Sequence, residues 1–243
     1  MSFSRLEFGG LPRDLRLSTL GMSVPPMQSF PSLDENNFAL AVRELASRDA
    51  HFSQILDAYG PPPLWVREPG FPTLVYIILE QQVSLASARA AFERLCKAVR
   101  PLTPRKFLTL GDARLKQIGF SRQKMLYTRL LAESLSRRHF DLRDLHELED
   151  DTARKMFMAF KGIGPWTADI YLLSAMRRPD IWPTGDLALA IAVKEVKNLA
   201  ERPSPAVLEE MSAPWRPWRA VAARLFWHAY LSKRGQKTAT LSL

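Results

Sequence analysis

The segment Phe160–Ala168, which reads Phe-Lys-Gly-Ile-Gly-Pro-Trp-Thr-Ala, places two glycines and a proline between two helical patterns. A helix predicted over Asp150–Phe160 runs into this turn, and a second helix begins with Pro165 near its first position. The glycines permit a tight turn with positive φ, and Ile163 can fill the space between the helices. The unpaired N–H groups at the second helix start can bind a phosphate oxygen. A plain corner between two helices explains these residues equally well.

A carboxylate stands at the start of the next apolar helix. Trp182-Pro183-Thr184-Gly185-Asp186 precedes an apolar run from Leu187 to Val196, so Asp186 falls at or near a helix N-terminus. The helix dipole favours an ionised carboxylate at that position. Facing a turn that binds nucleic acid, such a group can stabilise positive charge developing on a sugar. Taken alone, Asp186 is explained more simply as a capping residue, since aspartate is among the preferred N-caps.

The elements that must position these groups are all helices. Apolar residues recur at helical spacing from Asp34 onward, and Ser84 is a candidate N-cap for a helix that reaches about Val99. We find no alternating pattern long enough to require a strand, so the fold class is all-α. Residues 1–33 are rich in proline and glycine, which predicts a poorly ordered or extended arm ahead of a helical body over residues 34–243.

Charge favours a polyanionic partner. The 243 residues carry a net charge of +9, which is typical of proteins that bind nucleic acid. Basic residues are concentrated in one stretch that holds a single acidic residue, Glu133; they are Arg114, Lys116, Arg122, Lys124, Arg129, Arg137 and Arg138. A solvated helix face is the alternative explanation for that stretch. We see no membrane span and no secretory signal, so we expect the protein to stay where it is made.

Cysteine usage excludes several kinds of site within the chain. Cys96 is the only cysteine, so neither a disulfide nor a four-cysteine zinc or iron–sulfur site can form. Its helical spacing from Phe92 and Val99 indicates a packing residue. We expect the chain to need no cofactor and no metal for its chemistry.

Several motifs in a fixed order resemble those of the helix-hairpin-helix DNA glycosylase superfamily, and more narrowly the 3-methyladenine DNA glycosylase II branch. The resemblance extends over about residues 71–230. The matching segments are Ile77–Ser84, Ile118–Lys124, the hairpin Gly162–Asp169, Gly185-Asp186, Trp215–Arg219 and Leu225–Trp227. It implies two helical subdomains that flank a base-binding cleft, and duplex DNA containing damaged bases as the partner of a monomer.

The resemblance also implies roles for individual residues. Asp186 matches the family's essential aspartate. Gly162, Gly164 and Thr167 match the hairpin that grips a phosphate of the DNA backbone. Gln82 stands at the position of the residue that fills the gap left by an extruded nucleotide. A monovalent cation shared between hairpin carbonyls and a phosphate is a further feature that the resemblance implies.

Two tryptophans match aromatic positions of the cleft that receives the base. Trp166 and Trp227 are therefore expected in the base pocket, although core packing is an alternative role for each. Members of the superfamily that also cleave the DNA strand carry a lysine at the position of Trp166, and Lys161 is not the matching residue. We therefore expect no lyase activity. Glu80 departs from the family, whose members often have a small residue there, so it either faces the interior or shapes the pocket.

The function expected on these grounds is hydrolytic removal of alkylated purines by a monofunctional glycosylase. The competing class is a DNA-binding protein without catalysis, because similar hairpins serve only as phosphate grips in other proteins. A glycosylase for oxidised or deaminated bases is the alternative within the class. The sequence does not rank the alkylated and deaminated purines as substrates.

Overall fold

The structure, a computed structural model, describes residues 32–137 and 141–235, and these form helices joined by turns with no strand. The all-α fold class is confirmed. The helices in chain order are α1 (Glu35–Arg48), α2 (Ala50–Tyr59), α3 (Phe71–Glu80), α4 (Leu85–Ala98), α5 (Pro104–Phe107), α6 (Asp112–Ile118), α7 (Arg122–Ser136), α8 (Asp150–Met158), α9 (Pro165–Ser174), α10 (Leu187–Val196), α11 (Pro205–Ser212) and α12 (Arg219–Lys233). Short 3-10 turns cover Leu142–Glu147 and Ala213–Trp215.

Side-chain caps set many of the helix starts. Ser84, Ser121, Asp186 and Ser204 each accept a hydrogen bond from a first-turn N–H of the helix that follows. Such caps satisfy donors that have no partner inside the helix. The predicted cap at Ser84 is present, and α10 has the bounds expected from the sequence. The helix before the hairpin ends at Met158, slightly earlier than predicted.

The helices pack in two groups. The first combines the two ends of the described chain, with α12 packed against α1, α2 and α10. The second is the central part, in which α3 packs against α4, α7 and α9, while α8 packs against α9. A continuous hydrophobic core runs through both groups. This arrangement brings the start of α10 and the middle of α12 close to α3 and α9.

Residues 1–31 of the predicted arm lie outside the described residues, as does Arg138 of the basic stretch. Leu33, at the end of the predicted arm, belongs to the packed body: its side chain is fully buried and its N–H donates to the Arg177 carbonyl at 2.8 Å. None of the described helices has the length and apolar character that a membrane crossing requires.

Candidate active site

Asp186 is the N-cap of α10 and is held by three donors. Its Oδ1 accepts the Leu189 N–H at 2.7 Å and the indole Nε1–H of Trp227 at 3.1 Å. Its Oδ2 accepts the indole Nε1–H of Trp166 at 2.7 Å. These three hydrogen bonds, made at the N-terminus of α10, hold both side-chain oxygens in defined positions. The side chain is half-buried.

The two tryptophans reach Asp186 from different elements. Trp166 lies in the first turn of α9 and Trp227 in the middle of α12, and both are half-buried. The sequence led us to expect ring surfaces for a base. In the structure each ring lines the cavity described below, and its indole N–H donates to the carboxylate of Asp186. This hydrogen bonding could not be read from the sequence.

The hairpin between α8 and α9 has the predicted form at Gly162 and Ile163. Ile163 is buried, and its N–H bonds to the Phe160 carbonyl at 3.0 Å. Gly162 has φ +92°, and a Cβ there would lie 2.1 Å from ring atoms of Tyr127. Only glycine therefore fits this position, because the positive φ is unfavourable for other residues and a side chain would clash with Tyr127.

The second hairpin glycine differs from the expectation. Gly164 has φ −90° and ψ 179°, which is an extended conformation open to any residue, and not the positive φ that the motif suggested. Apart from its chain neighbours, no described residue has a heavy atom within 4 Å of the position that a Cβ would take. Gly164 is exposed at the start of α9, so the space in front of it is open for a ligand to approach the backbone.

The start of α9 offers main-chain donors. Gly164 caps the helix without a side-chain bond, and Pro165 has no N–H. The first-turn N–H groups of Trp166 and Thr167 have no intrahelical acceptor by the geometry of a helix start. The Thr167 side chain is not part of this surface: it is buried, and its hydroxyl accepts from Gln81 Nε2 at 2.9 Å. Of the Thr167 donors, the backbone N–H is therefore the one placed to meet an anion at this helix start.

The segment between α3 and α4 lies against the hairpin. Gln82 is exposed and adopts φ +56°, an unusual conformation for a residue with a side chain. The neighbouring Gln81 donates from Nε2 to the Gly162 carbonyl at 3.0 Å as well as to Thr167. Gln81 thereby ties this segment to the hairpin. Sequence reasoning missed this role, for which the adjacent pair of glutamines gave no distinguishing signal.

A cavity of about 1450 Å³ lies where the two helix groups meet. It is larger than the roughly 300–1,000 Å³ of an ordinary small-molecule pocket. Its wall includes Asp186, Trp166 and Trp227, and Gln82 also lines it. The structure therefore brings the catalytic, aromatic and gap-filling candidates to one cavity, with the exposed Gly164 at the same wall.

A buried polar network supports the loop that leads to Asp186. Asp169 Oδ2 accepts from Arg154 at 2.6 Å and from the Thr184 N–H at 3.2 Å. Burial raises the pKa of Asp169 to about 6, although the Arg154 guanidinium opposes this shift. The network joins α8 and α9 to the residues just before Asp186. Its sequence signal was a charged residue inside the apolar run of α9, which sequence reasoning left unused.

Part of the basic stretch has internal partners. Lys124 donates to the Leu79 carbonyl at 2.8 Å, and burial lowers its pKa. Arg129 bonds to the Leu110 carbonyl and to Asp112. Arg122, in contrast, is exposed at the start of α7. The stretch is thus neither a purely solvated face nor a wholly free cationic surface.

Three known proteins show how this chain compares with others. An alkylbase DNA glycosidase-like protein of Schizosaccharomyces pombe is 23% identical over 83% of this chain and 99% of its own length. The crystal structure of a DNA-3-methyladenine glycosidase from Bacillus halodurans is 26% identical, with a TM-score of 0.67 over 88% of this chain and 97% of that one. A 3-methyladenine DNA glycosylase of S. pombe in complex with abasic DNA shares the fold, with a TM-score of 0.73, 21% identity and coverage of 80% and 97%.

The family comparison agrees with the motifs of the sequence. A model described as HhH-GPD superfamily base excision DNA repair protein matches residues 75–217, a span that includes the segment Ile77–Ser84, the hairpin and Asp186. Because this match takes in more than half of the chain, the protein belongs to the HhH-GPD superfamily of base excision DNA repair proteins.

Proposed function

We propose that this protein is a DNA glycosylase that removes alkylated purines from duplex DNA by hydrolysing the glycosidic bond, with Asp186 as the catalytic carboxylate. One observation carries the proposal: Asp186 lies at the cavity wall with both oxygens held by donors, next to a hairpin whose helix start offers free N–H groups. The relatives described as alkylbase and 3-methyladenine glycosidases support the same substrate class.

DNA binding begins at the hairpin. The Trp166 and Thr167 N–H groups, together with the α9 dipole, bind an oxygen of the phosphate backbone. Such a contact fixes the position of the protein on the duplex and carries no sequence information. The net charge of +9 adds a general attraction for DNA. The protein acts as a monomer on this duplex, in the nucleoid of a bacterium or the nucleus of a eukaryote.

The base must leave the stack before its sugar carbon can be reached. The cavity between the helix groups receives the extruded nucleotide, and the exposed Gln82 at its rim fills the gap in the duplex. Its amide can bond to the unpaired partner base. The ring faces of Trp166 and Trp227 stack on the electron-poor purine, a contribution of about 0.5–2 kcal/mol for a cationic ring.

Alkylation at N3 or N7 makes a purine cationic and therefore a good leaving group. The site then needs no strong general acid. As the glycosidic bond breaks, positive charge develops on the sugar, and the fixed carboxylate of Asp186 stabilises it. The same carboxylate can orient the attacking water. Preorganisation matters here because the three donors hold Asp186 before the reaction begins.

The reaction ends with an intact strand. Strand cleavage by this family's bifunctional members requires a lysine amine that attacks the sugar, and Trp166 occupies that position. Among the described residues that line the cavity there is no lysine. Lys161 is exposed on the turn before the hairpin glycines. The product is therefore an abasic site that stays uncut until it is treated with alkali.

The test is base release from methylated duplex DNA, comparing the wild type with Asp186→Asn. The asparagine amide carries no charge, and it keeps one acceptor oxygen while its NH2 group faces one of the two indole N–H donors. We expect release to fall by about 10³-fold or more, since losing one preorganised electrostatic contact already reduces rates by about 10²–10³. Duplex affinity should stay within several-fold of the wild type.

Each outcome has a distinct meaning. Release of methylpurines by the wild type, with strands intact until alkali is added, supports the proposal. Release at an undiminished rate by Asp186→Asn would refute the assignment of the carboxylate. Tight duplex binding with no release of any methylpurine would favour an oxidised or deaminated base, or a DNA-binding protein without catalysis.

A further inference from the structure

The cavity wall carries an ion pair that the proposed mechanism does not use. Arg67 donates from its two terminal nitrogens to Glu80, at 2.9 Å to Oε2 and 2.8 Å to Oε1. The side chains are only 5% and 4% exposed, and both residues line the cavity. The Arg67 guanidinium also lies 4.9 Å from the ring centroid of Tyr76. The pair is therefore rigidly held at the end of α3.

Stability does not explain why the pair is there. Removing two charges from water is unfavourable, and well-packed apolar residues in place of a buried ion pair are often as stable or more so. The residues around Glu80 in α3, Ile77, Ile78 and Leu79, are buried and apolar. An apolar pair at this wall would suit such surroundings at least as well, which points to a role in what the cavity holds.

The pair leaves hydrogen-bonding capacity on Glu80. Each carboxylate oxygen can accept two hydrogen bonds, and Arg67 supplies one to each. No further donor to Glu80 is found among the described side chains and backbone groups. Because Arg67 neutralises the charge, this wall offers acceptors without a net negative charge. It can select a ligand by its N–H groups and not by its overall charge.

We infer that Glu80, held by Arg67, is a specificity-determining residue that accepts hydrogen bonds from N–H groups of the extruded purine. The inference rests on the proposed function and narrows its substrate class. Purines with an exocyclic amine, such as 7-methylguanine and 3-methyladenine, satisfy the free acceptors. Ethenoadenine does not, because its amine is closed into a second ring and carries no N–H. Such a base leaves the buried acceptors unsatisfied.

The test compares excision of 7-methylguanine and ethenoadenine from the same duplex sequence under single-turnover conditions. The double variant Arg67→Met/Glu80→Leu replaces the pair by apolar side chains of similar size. We expect the wild-type preference for 7-methylguanine to fall by about 10- to 100-fold, the range for a hydrogen bond to a charged group. The control Arg219→Met/Asp180→Leu removes a largely buried ion pair whose residues do not line the cavity, and should keep the preference.

A second variant covers the case in which the double variant does not fold. Glu80→Gln keeps the side-chain size and one acceptor oxygen, but presents an N–H donor where the other acceptor was, so it should also lose preference. A folded variant of either kind with the wild-type ratio of rates would overturn the inference while leaving the proposed function intact. Excision of neither base by the wild type would overturn the proposed function, and this inference with it.

Discussion

The hydrogen bond from Trp166 to Asp186 allows the orienting role of this tryptophan to be separated from its stacking role by one substitution. Trp166→Phe keeps an aromatic ring at the cavity wall and removes the indole N–H that donates to Asp186 Oδ2 at 2.7 Å. A hydrogen bond to a charged group contributes about 1.5–3 kcal/mol. If a comparable part of this energy holds the carboxylate in its reactive orientation, the rate of base release falls by about 10- to 100-fold.

Loss of stacking must be distinguished from loss of orientation. A smaller ring weakens cation–π stacking, which affects a cationic base more than a neutral one. A misplaced Asp186 slows the cleavage of both kinds of base. Single-turnover release of cationic 7-methylguanine and neutral ethenoadenine should therefore decrease by similar factors in Trp166→Phe, while duplex affinity stays close to that of the wild type.

Trp182 provides a matched control. It is buried near the same loop, and its indole nitrogen has no hydrogen-bond partner among the described residues. Trp182→Phe therefore removes an indole N–H without breaking a hydrogen bond. A rate in Trp166→Phe equal to that in Trp182→Phe would refute the orienting role. A loss confined to 7-methylguanine would show that Trp166 acts through stacking alone.

Further predictions concern the hairpin, its neighbour and the buried network. Gly164→Val should fill the open space before the α9 N–H groups and so weaken binding to damaged and undamaged duplex alike, as measured by binding titration. Gly162→Ala should lower the melting temperature measured by calorimetry, because its Cβ would clash with Tyr127. Gln82→Ala should slow base release without abolishing it, measured by single turnover. Burial raises the pKa of Asp169 from 3.8 to about 6, so the folded protein favours the protonated side chain. The resulting stabilisation is fully present below pH 4, and about 3 kcal/mol of it is lost as the pH rises through 6. The difference in free energy of unfolding between wild type and Asp169→Asn should change by up to this amount across that range, and a constant difference would contradict the shift.

Local signals made much of the fold predictable. Helix bounds follow from apolar spacing and from caps such as Ser84 and Asp186, which act within a few residues of themselves. The hairpin was predictable for the same reason, since Gly162 needs both its positive φ and its missing side chain. The conformation of Gly164 was not predictable in this way, because its φ of −90° is open to any residue and no contact with the described residues requires a missing side chain.

Contacts between distant segments could not be predicted. The donors to Asp186 come from α9 and α12, and nothing in the spacing of Trp166 or Trp227 indicates where an indole N–H points. The ion pair of Glu80 could not be predicted either. The sequence shows an unusual acid in an apolar helix, but not that Arg67 lies opposite it. Charged residues inside apolar runs were the usable signal, and they indicate that a partner exists without identifying it.

In the proposed mechanism, one turn of α9 links DNA binding to the carboxylate. The backbone of Trp166 and Thr167 offers donors to a phosphate, while the indole of Trp166 holds Asp186 and the hydroxyl of Thr167 holds Gln81. A shift of this turn upon phosphate binding would therefore move the carboxylate and the gap-filling segment together. Binding of the DNA backbone and placement of Asp186 then depend on the same residues. Substitutions that disturb the turn should therefore reduce binding and catalysis together. Trp166→Phe leaves the protein backbone of the turn in place and should reduce catalysis alone.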